Sequence, residues 1–199
     1  MDLVPRPLAF DAAGLHGLSE RLIASHHQNN YTGAVKRLNA IRRQLDSTDW
    51  AEAAGFVVNG LKREELIATN SMLLHELYFE SLGGDGRTLP PAMRQALESS
   101  FVSVERWRSE FVAMGKALGG GSGWVMLTWS GRDRRLVNTW AADHTMTLAG
   151  GAPILVLDMY EHAYQMDYGA RAAAYVDTFM QGIRWDNVSS LYERYSKQS

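Results

Sequence analysis

Asp158 and His162 lie four residues apart in the stretch Asp158-Met159-Tyr160-Glu161-His162-Ala163-Tyr164. Asp158 also closes an apolar run, Pro153-Ile154-Leu155-Val156-Leu157, so its carboxylate projects from the dry end of a strand. Such a group costs on the order of several kcal/mol to bury unless it is paired or coordinates a cation. Taken alone, the pair reads equally well as a hydrogen-bonded structural contact. His26 and His75, each inside a helix-patterned segment, change the balance. A single histidine on an apolar face is more often a satisfied core residue than a ligand. Three imidazoles and one carboxylate together suit iron, manganese or zinc far better than calcium or magnesium.

The rest of the inventory narrows the chemistry. The chain has six histidines (His16, His26, His27, His75, His144 and His162) and no cysteine. Disulfides, thiolate metal sites, iron–sulfur clusters and a cysteine nucleophile are therefore excluded, and any metal site is built from histidine and carboxylate. His75-Glu76-Leu77-Tyr78-Phe79 begins like a zincin helix but has Phe79 where the second histidine must stand. Gly119 to Gly123 is no phosphate-binding loop, because no Lys-Ser/Thr follows it, and a strand rather than a helix comes next.

Composition points to an ordinary globular protein: 199 residues, 46% hydrophobic and 21% charged. Twenty basic and 22 acidic side chains leave a net charge of -2, so no basic field recruits nucleic acid. Met1 to Phe10 carries two prolines and an arginine instead of a signal-like apolar stretch, and no apolar run is long enough for a bilayer. The expectation is a cytoplasmic protein with neither membrane nor nucleic acid among its partners.

The elements that must position these residues follow from periodicity. Leu18, Leu22, Ile23, Val35, Leu38, Ile41 and Leu45 form a helical stripe that Ser19 caps, polar in its middle, where His26 and His27 fall. A second helix is expected from Arg63 to about Leu82, ended by Gly83-Gly84-Asp85-Gly86, with residues 47–60 linking the two into an antiparallel hairpin. Helical character resumes over 92–97 and 102–118. Residues 124–129 and 135–140 then read as strands around a Gly131-Arg132-Asp133 turn. The run 153–157, apolar throughout, reads as a third and central strand. The tail from Arg171 returns to helix. The fold class is α+β: an N-terminal α-hairpin domain, 1–88, followed by an α/β domain with a three-stranded antiparallel sheet, 89–199.

Several of these segments resemble the iron/manganese superoxide dismutases. The stretch from Asp158 to Tyr164, with Asp167-Tyr168, Arg171, Tyr175 and Trp185-Asp186 beyond it, is similar to that family's D-x-W-E-H-A-Y signature and downstream segment. Gly121-Ser122-Gly123-Trp124 resembles its turn into the first strand. His75 with Tyr78-Phe79 and Leu82 resembles its second-helix ligand segment, and Ser25-His26-His27 with Val35 and Asn39 its first.

The resemblance implies a mononuclear iron or manganese, one ion per subunit, held by His26, His75, Asp158 and His162. The implied activity is the conversion of superoxide to dioxygen and hydrogen peroxide, in a homodimer or higher homo-oligomer. Trp124 and His144 would flank the centre, with His144 taking the place of the usual glutamine that bonds the solvent at the metal. Arg171 matches the arginine at the base of the substrate funnel. Glu161, Tyr164, Asn30 and Gln165 fall at the family's subunit interface. Val156 is bulkier than the glycine of manganese-preferring members, a slight lean toward iron.

Departures from the pattern are concrete. The gateway histidine and tyrosine of the family are here Asn30 and Ala34, and Tyr31 is the candidate to supply the missing phenol. The tyrosine that pairs with the gateway across the dimer is Gln165, and the signature tryptophan is Tyr160. Two other readings stay open at this point: a two-histidine, one-carboxylate oxygenase site from His75, Asp158 and His162, and a catalytically silent relative.

Overall fold

A computed structural model describes residues 2–198. Residues 2–18 form a mostly extended strap with one short 3₁₀ turn at Ala12–Gly14. The first helical rod begins as α1, Glu20–Ser25, with the Ser19 hydroxyl accepting the Leu22 N–H as its cap. It passes through a π-helical turn, His26–Tyr31, and continues as α2, Thr32–Asp46. The expected stripe is real: Leu22, Ile23, Val35 and Leu38 are all buried. The polar middle is the π turn itself, where one extra residue per turn shifts the register.

The second rod, α3, runs Gly55–Glu80, so it starts eight residues before the expected Arg63. Its opening turns carry no apolar face to read: Phe56 is exposed, as are Leu66 and Leu73 farther along. α2 and α3 pack against each other as the anticipated hairpin. Next come α4, Pro91–Phe101, and α5, Val104–Ala117, the latter capped by Ser103.

Strands β1, Trp124–Ser130, β2, Arg135–Ala141, and β3, Gly151–Asp158, form one antiparallel sheet in the order β2-β1-β3. The third strand is therefore an edge and not the centre, which belongs to β1. Apolar character throughout β3 has another cause, because α3 packs against it and so does the last helix, α8. Between them in the chain lie a 3₁₀ turn, Glu161–Ala163, and helices α6, Gln165–Tyr168, and α7, Ala172–Gln181, before α8 itself, Trp185–Ser196. In the register, Trp124 stands opposite both Ala141 and Asp158, so the start of β1 and the ends of its two neighbours meet at one edge of the sheet. No helix among the described residues is long and apolar enough to cross a membrane.

Candidate metal centre

Four side chains from three separate parts of the chain converge. His26 opens the π turn, His75 lies in α3, Asp158 ends β3, and His162 sits in the 3₁₀ turn that follows. Their nearest ligand atoms all lie within 4.8 Å of one another. Asp158 Oδ2 is 3.2 Å from His26 Nε2, 3.6 Å from His75 Nε2 and 3.2 Å from His162 Nε2. His75 Nε2 and His162 Nε2 are 3.4 Å apart.

Each ligand is held differently. The Tyr160 N–H donates to Asp158 Oδ1 at 2.8 Å, which leaves Oδ2 facing the centre. Tyr175 Oη donates to the Asp158 carbonyl at 2.8 Å, and Tyr78 Oη lies 3.2 Å from that phenol. His75 Nδ1 donates to the Ser71 carbonyl at 2.6 Å, one helical turn back. Since a carbonyl only accepts, the proton of His75 is placed on Nδ1 and the Nε2 lone pair is turned inward. His26, by contrast, is fully buried with no partner at Nδ1 and only Asp158 Oδ2 near Nε2, packed between Tyr78 (5.1 Å) and Phe79 (4.9 Å). His162, with 26% of its side chain exposed, marks the side on which the centre opens.

The electrostatics favour a cation. Burial depresses the His26 imidazole and brings His75 down to about 3, so both stay neutral. Burial opposes charge on Asp158 as well, but the surrounding imidazoles of His162 and His26 outweigh it and hold the carboxyl far below its ordinary range. The lone pairs of His26 and His75 thus face one anionic carboxylate. Two atoms bound at about 2.1 Å to one ion, at angles between a right angle and 120°, stand about 3.0–3.6 Å apart. Four of the six separations, 3.2–3.6 Å, match that spacing, and a cation at their centre would take the His26 Nε2 lone pair that now faces Asp158 Oδ2 at 3.2 Å.

The surrounding residues sort less uniformly. The Trp124 indole N–H donates to His144 Nδ1 at 3.0 Å. An indole only donates, so the proton of neutral His144 sits on Nε2, and burial lowers this imidazole and keeps it neutral. Its ring stacks on Tyr160 at 5.0 Å, and Tyr160 stacks in turn on His162 at 5.4 Å. His144 therefore stands half-buried beside the ligands. Tyr31 is buried, but its hydroxyl accepts the Arg6 N–H and donates to Glu76, so the structure brings this phenol to the strap and not into the centre. Arg171 is exposed and lies over the Tyr168 ring. Glu161 and Gln165 are exposed and Asn30 is partly so, whereas Tyr164 is stacked on Tyr175 inside the core. Sequence reasoning passed over the Ser71 carbonyl, for which the four-residue spacing to His75 was an available signal. It also passed over Arg6 and Glu76, for which there was none.

An α+β protein with a buried three-histidine, one-aspartate cage of this geometry belongs to the class of mononuclear transition-metal proteins. A family model described as the iron/manganese superoxide dismutases, C-terminal domain, matches residues 90–191. The iron superoxide dismutase of Cupriavidus metallidurans is 65% identical over 187 residues, 94% of each chain. That of Aquifex aeolicus is 32% identical over 92% of this chain and 88% of its own. A manganese superoxide dismutase of Haloferax volcanii is 30% identical over 97% of this chain and 96% of its own. The chain belongs to the iron/manganese superoxide dismutase family.

Proposed function

We propose that the protein is a superoxide dismutase, turning two superoxide anions and two protons into dioxygen and hydrogen peroxide at one iron or manganese ion per subunit. The observation that carries this is the convergence of His26, His75, Asp158 and His162 in a chain 65% identical to an iron superoxide dismutase. The same relative supports the lean toward iron. When bound, the ion supplies reversible one-electron storage between its trivalent and divalent states.

The residues do the rest. Three neutral imidazoles and one carboxylate subtract a single charge from the ion, so the centre stays positive in both states and attracts a small anion each time. Asp158 and His75 are oriented by bonds on their far sides, which holds the cage rigid through the cycle. His144, its Nε2 proton set by Trp124, is the group placed to hold a proton beside the centre. Tyr160, stacked between His144 and His162, fixes the two rings relative to each other. Arg171 steers the anion from the surface.

The same reading takes the division at 88/89 as the domain boundary, supported by the family match starting at residue 90. It takes Glu161 and Gln165, which flank the partly exposed ligand His162 in the chain, together with Asn30, as the face of a homodimer, with Tyr164 supporting it from beneath. The protein works in the cytoplasm as an antioxidant enzyme. The test is superoxide consumption by protein reconstituted separately with iron and manganese, against its Asp158→Ala variant. Catalysis by one metal form and background rates in the variant are expected; equal rates in both would remove the assignment.

A further inference from the structure

His26 poses a mechanical problem that the other ligands do not. Asp158 and His75 are each oriented by a hydrogen bond on the atom facing away from the centre. The outer nitrogen of His26, Nδ1, has none, so its direction is inherited from the backbone that carries it. That backbone is a single π-helical turn, an arrangement with poorer intrinsic stability than the α-helix on either side. Something outside the turn has to hold it.

Tyr31 lies at the far end of that turn, and its hydroxyl donates to Glu76 Oε1 at 3.0 Å. Glu76 is the residue directly after His75 in α3. One bond therefore ties the turn that carries His26 to the helix position beside His75. The strap closes it from three directions. The Arg6 N–H donates to Tyr31 Oη at 2.7 Å, and the Arg6 carbonyl accepts from His27 Nε2 at 2.9 Å. The Arg6 guanidinium reaches Glu76 Oε2 at 3.3 Å and Glu80 Oε1 at 3.0 Å. The residues following two of the ligands, His27 and Glu76, are thus both bound to Arg6. The strap is itself fastened by Asn39, whose amide exchanges two 2.9 Å bonds with the Leu3 backbone.

We propose that Arg6, Tyr31 and Glu76 form a clasp of positioning residues that sets the separation and facing of His26 and His75. This rests on the metal-binding reading above. The rings of these two histidines meet nearly edge to face, 5.0 Å apart at 81°, and the clasp maintains that relation across two otherwise independent helices. Tyr31 is thereby given a role other than the gateway phenol its position in the sequence suggested.

The test uses the iron-loaded holoprotein and the variants Tyr31→Phe, Glu76→Gln and Arg6→Ala. Two quantities are measured: the rate of iron loss to an excess of chelator, and the rhombicity of the ferric electron paramagnetic resonance spectrum. Loss of partners that orient a ligand costs about 10–100-fold in metal affinity, and the clasp acts one step farther out. Iron loss about tenfold faster, with a changed spectrum, is expected for Tyr31→Phe and a smaller effect of the same kind for Arg6→Ala. Variants that melt earlier but keep the wild-type spectrum and a loss rate within about twofold would overturn the clasp. Glu76→Gln keeps the acceptor for Tyr31 but loses the ion pair with Arg6, so an effect like that of Arg6→Ala is expected, and it carries the test if Tyr31→Phe fails to fold. A wild-type chain that retains neither iron nor manganese would sink the metal reading and the clasp with it; wild-type retention with unaltered variants sinks the clasp alone.

Discussion

The two halves of the metal cage are built on different principles. Asp158 and His162 come from one short stretch at the end of β3, where sheet register and backbone bonds locate them. His26 and His75 come from two helices that meet only through packing and side-chain bonds. A strand end next to a paired neighbour has little freedom, since each ladder bond constrains the next. Helices slide and rotate against one another unless their contacts are specific. The strand half is consequently held by main-chain geometry, and the helix half by a few replaceable side chains.

Removing a ligand from the helix half gives the largest effect. His26→Ala is expected to lower iron affinity by more than about 100-fold, since a ligand outweighs the partners that merely orient one. Metal analysis after dialysis against chelator checks it. An oxygenase-type centre of His75, Asp158 and His162 would keep its iron almost unchanged.

The strand half should break through its backbone. Gly123 has φ of +139°, and its carbonyl accepts the Met159 N–H at 2.9 Å, next to Asp158. A Cβ there would lie 2.3 Å from the Ala141 carbonyl oxygen. Gly123→Ala is expected to cost about 2–4 kcal/mol from backbone strain and overpacking together. Equilibrium denaturation measures it, and a loss below about 0.5 kcal/mol would show that this corner of the sheet yields easily.

Tyr175→Phe strips the Asp158 carbonyl of a buried donor while leaving the register intact. A loss of about 1–3 kcal/mol is expected. If main-chain geometry governs this half, iron retention in the variant should fall less than in Tyr31→Phe; the reverse order would collapse the distinction drawn between the halves.

His144→Ala should reduce turnover about tenfold or more with the metal retained. Stopped-flow superoxide decay, normalised to metal content, separates that loss from loss of the ion.

Acid sharpens the same contrast at smaller amplitude. The folded His75 titrates at about 3, below its ordinary value of 6.5, so the unfolded chain binds more protons between those limits. Its contribution to stability is present above 6.5 and is lost as the pH falls toward 3. Asp158, also depressed when folded, adds a loss of the same sign at the acid end. The melting temperature of metal-free protein should fall steadily from about pH 6.5 downward, and a flat profile would mean His75 is not the buried neutral group described.

Much of this was legible in the residues. Asp158 and His162 announce themselves because a carboxylate closing an apolar strand, one turn before an imidazole, has few uses other than pairing or ligation. The helical stripes from Leu22 to Leu38, the strand pairs around Gly131 and the α+β order were readable from local periodicity, which depends on neighbours a few residues away. The early start of α3 at Gly55 was not, since its first turns bury nothing and leave no pattern. The edge position of β3 was not either, because apolar character reports that both faces are covered, and helices cover them here as effectively as strands. The diversion of the Tyr31 hydroxyl to Glu76 and the role of Arg6 arise from contacts across 21 to 74 residues. Residue types along a chain specify which groups are able to bond. Which of them do depends on how rigid elements come to rest against one another, and that is settled by packing over the whole molecule.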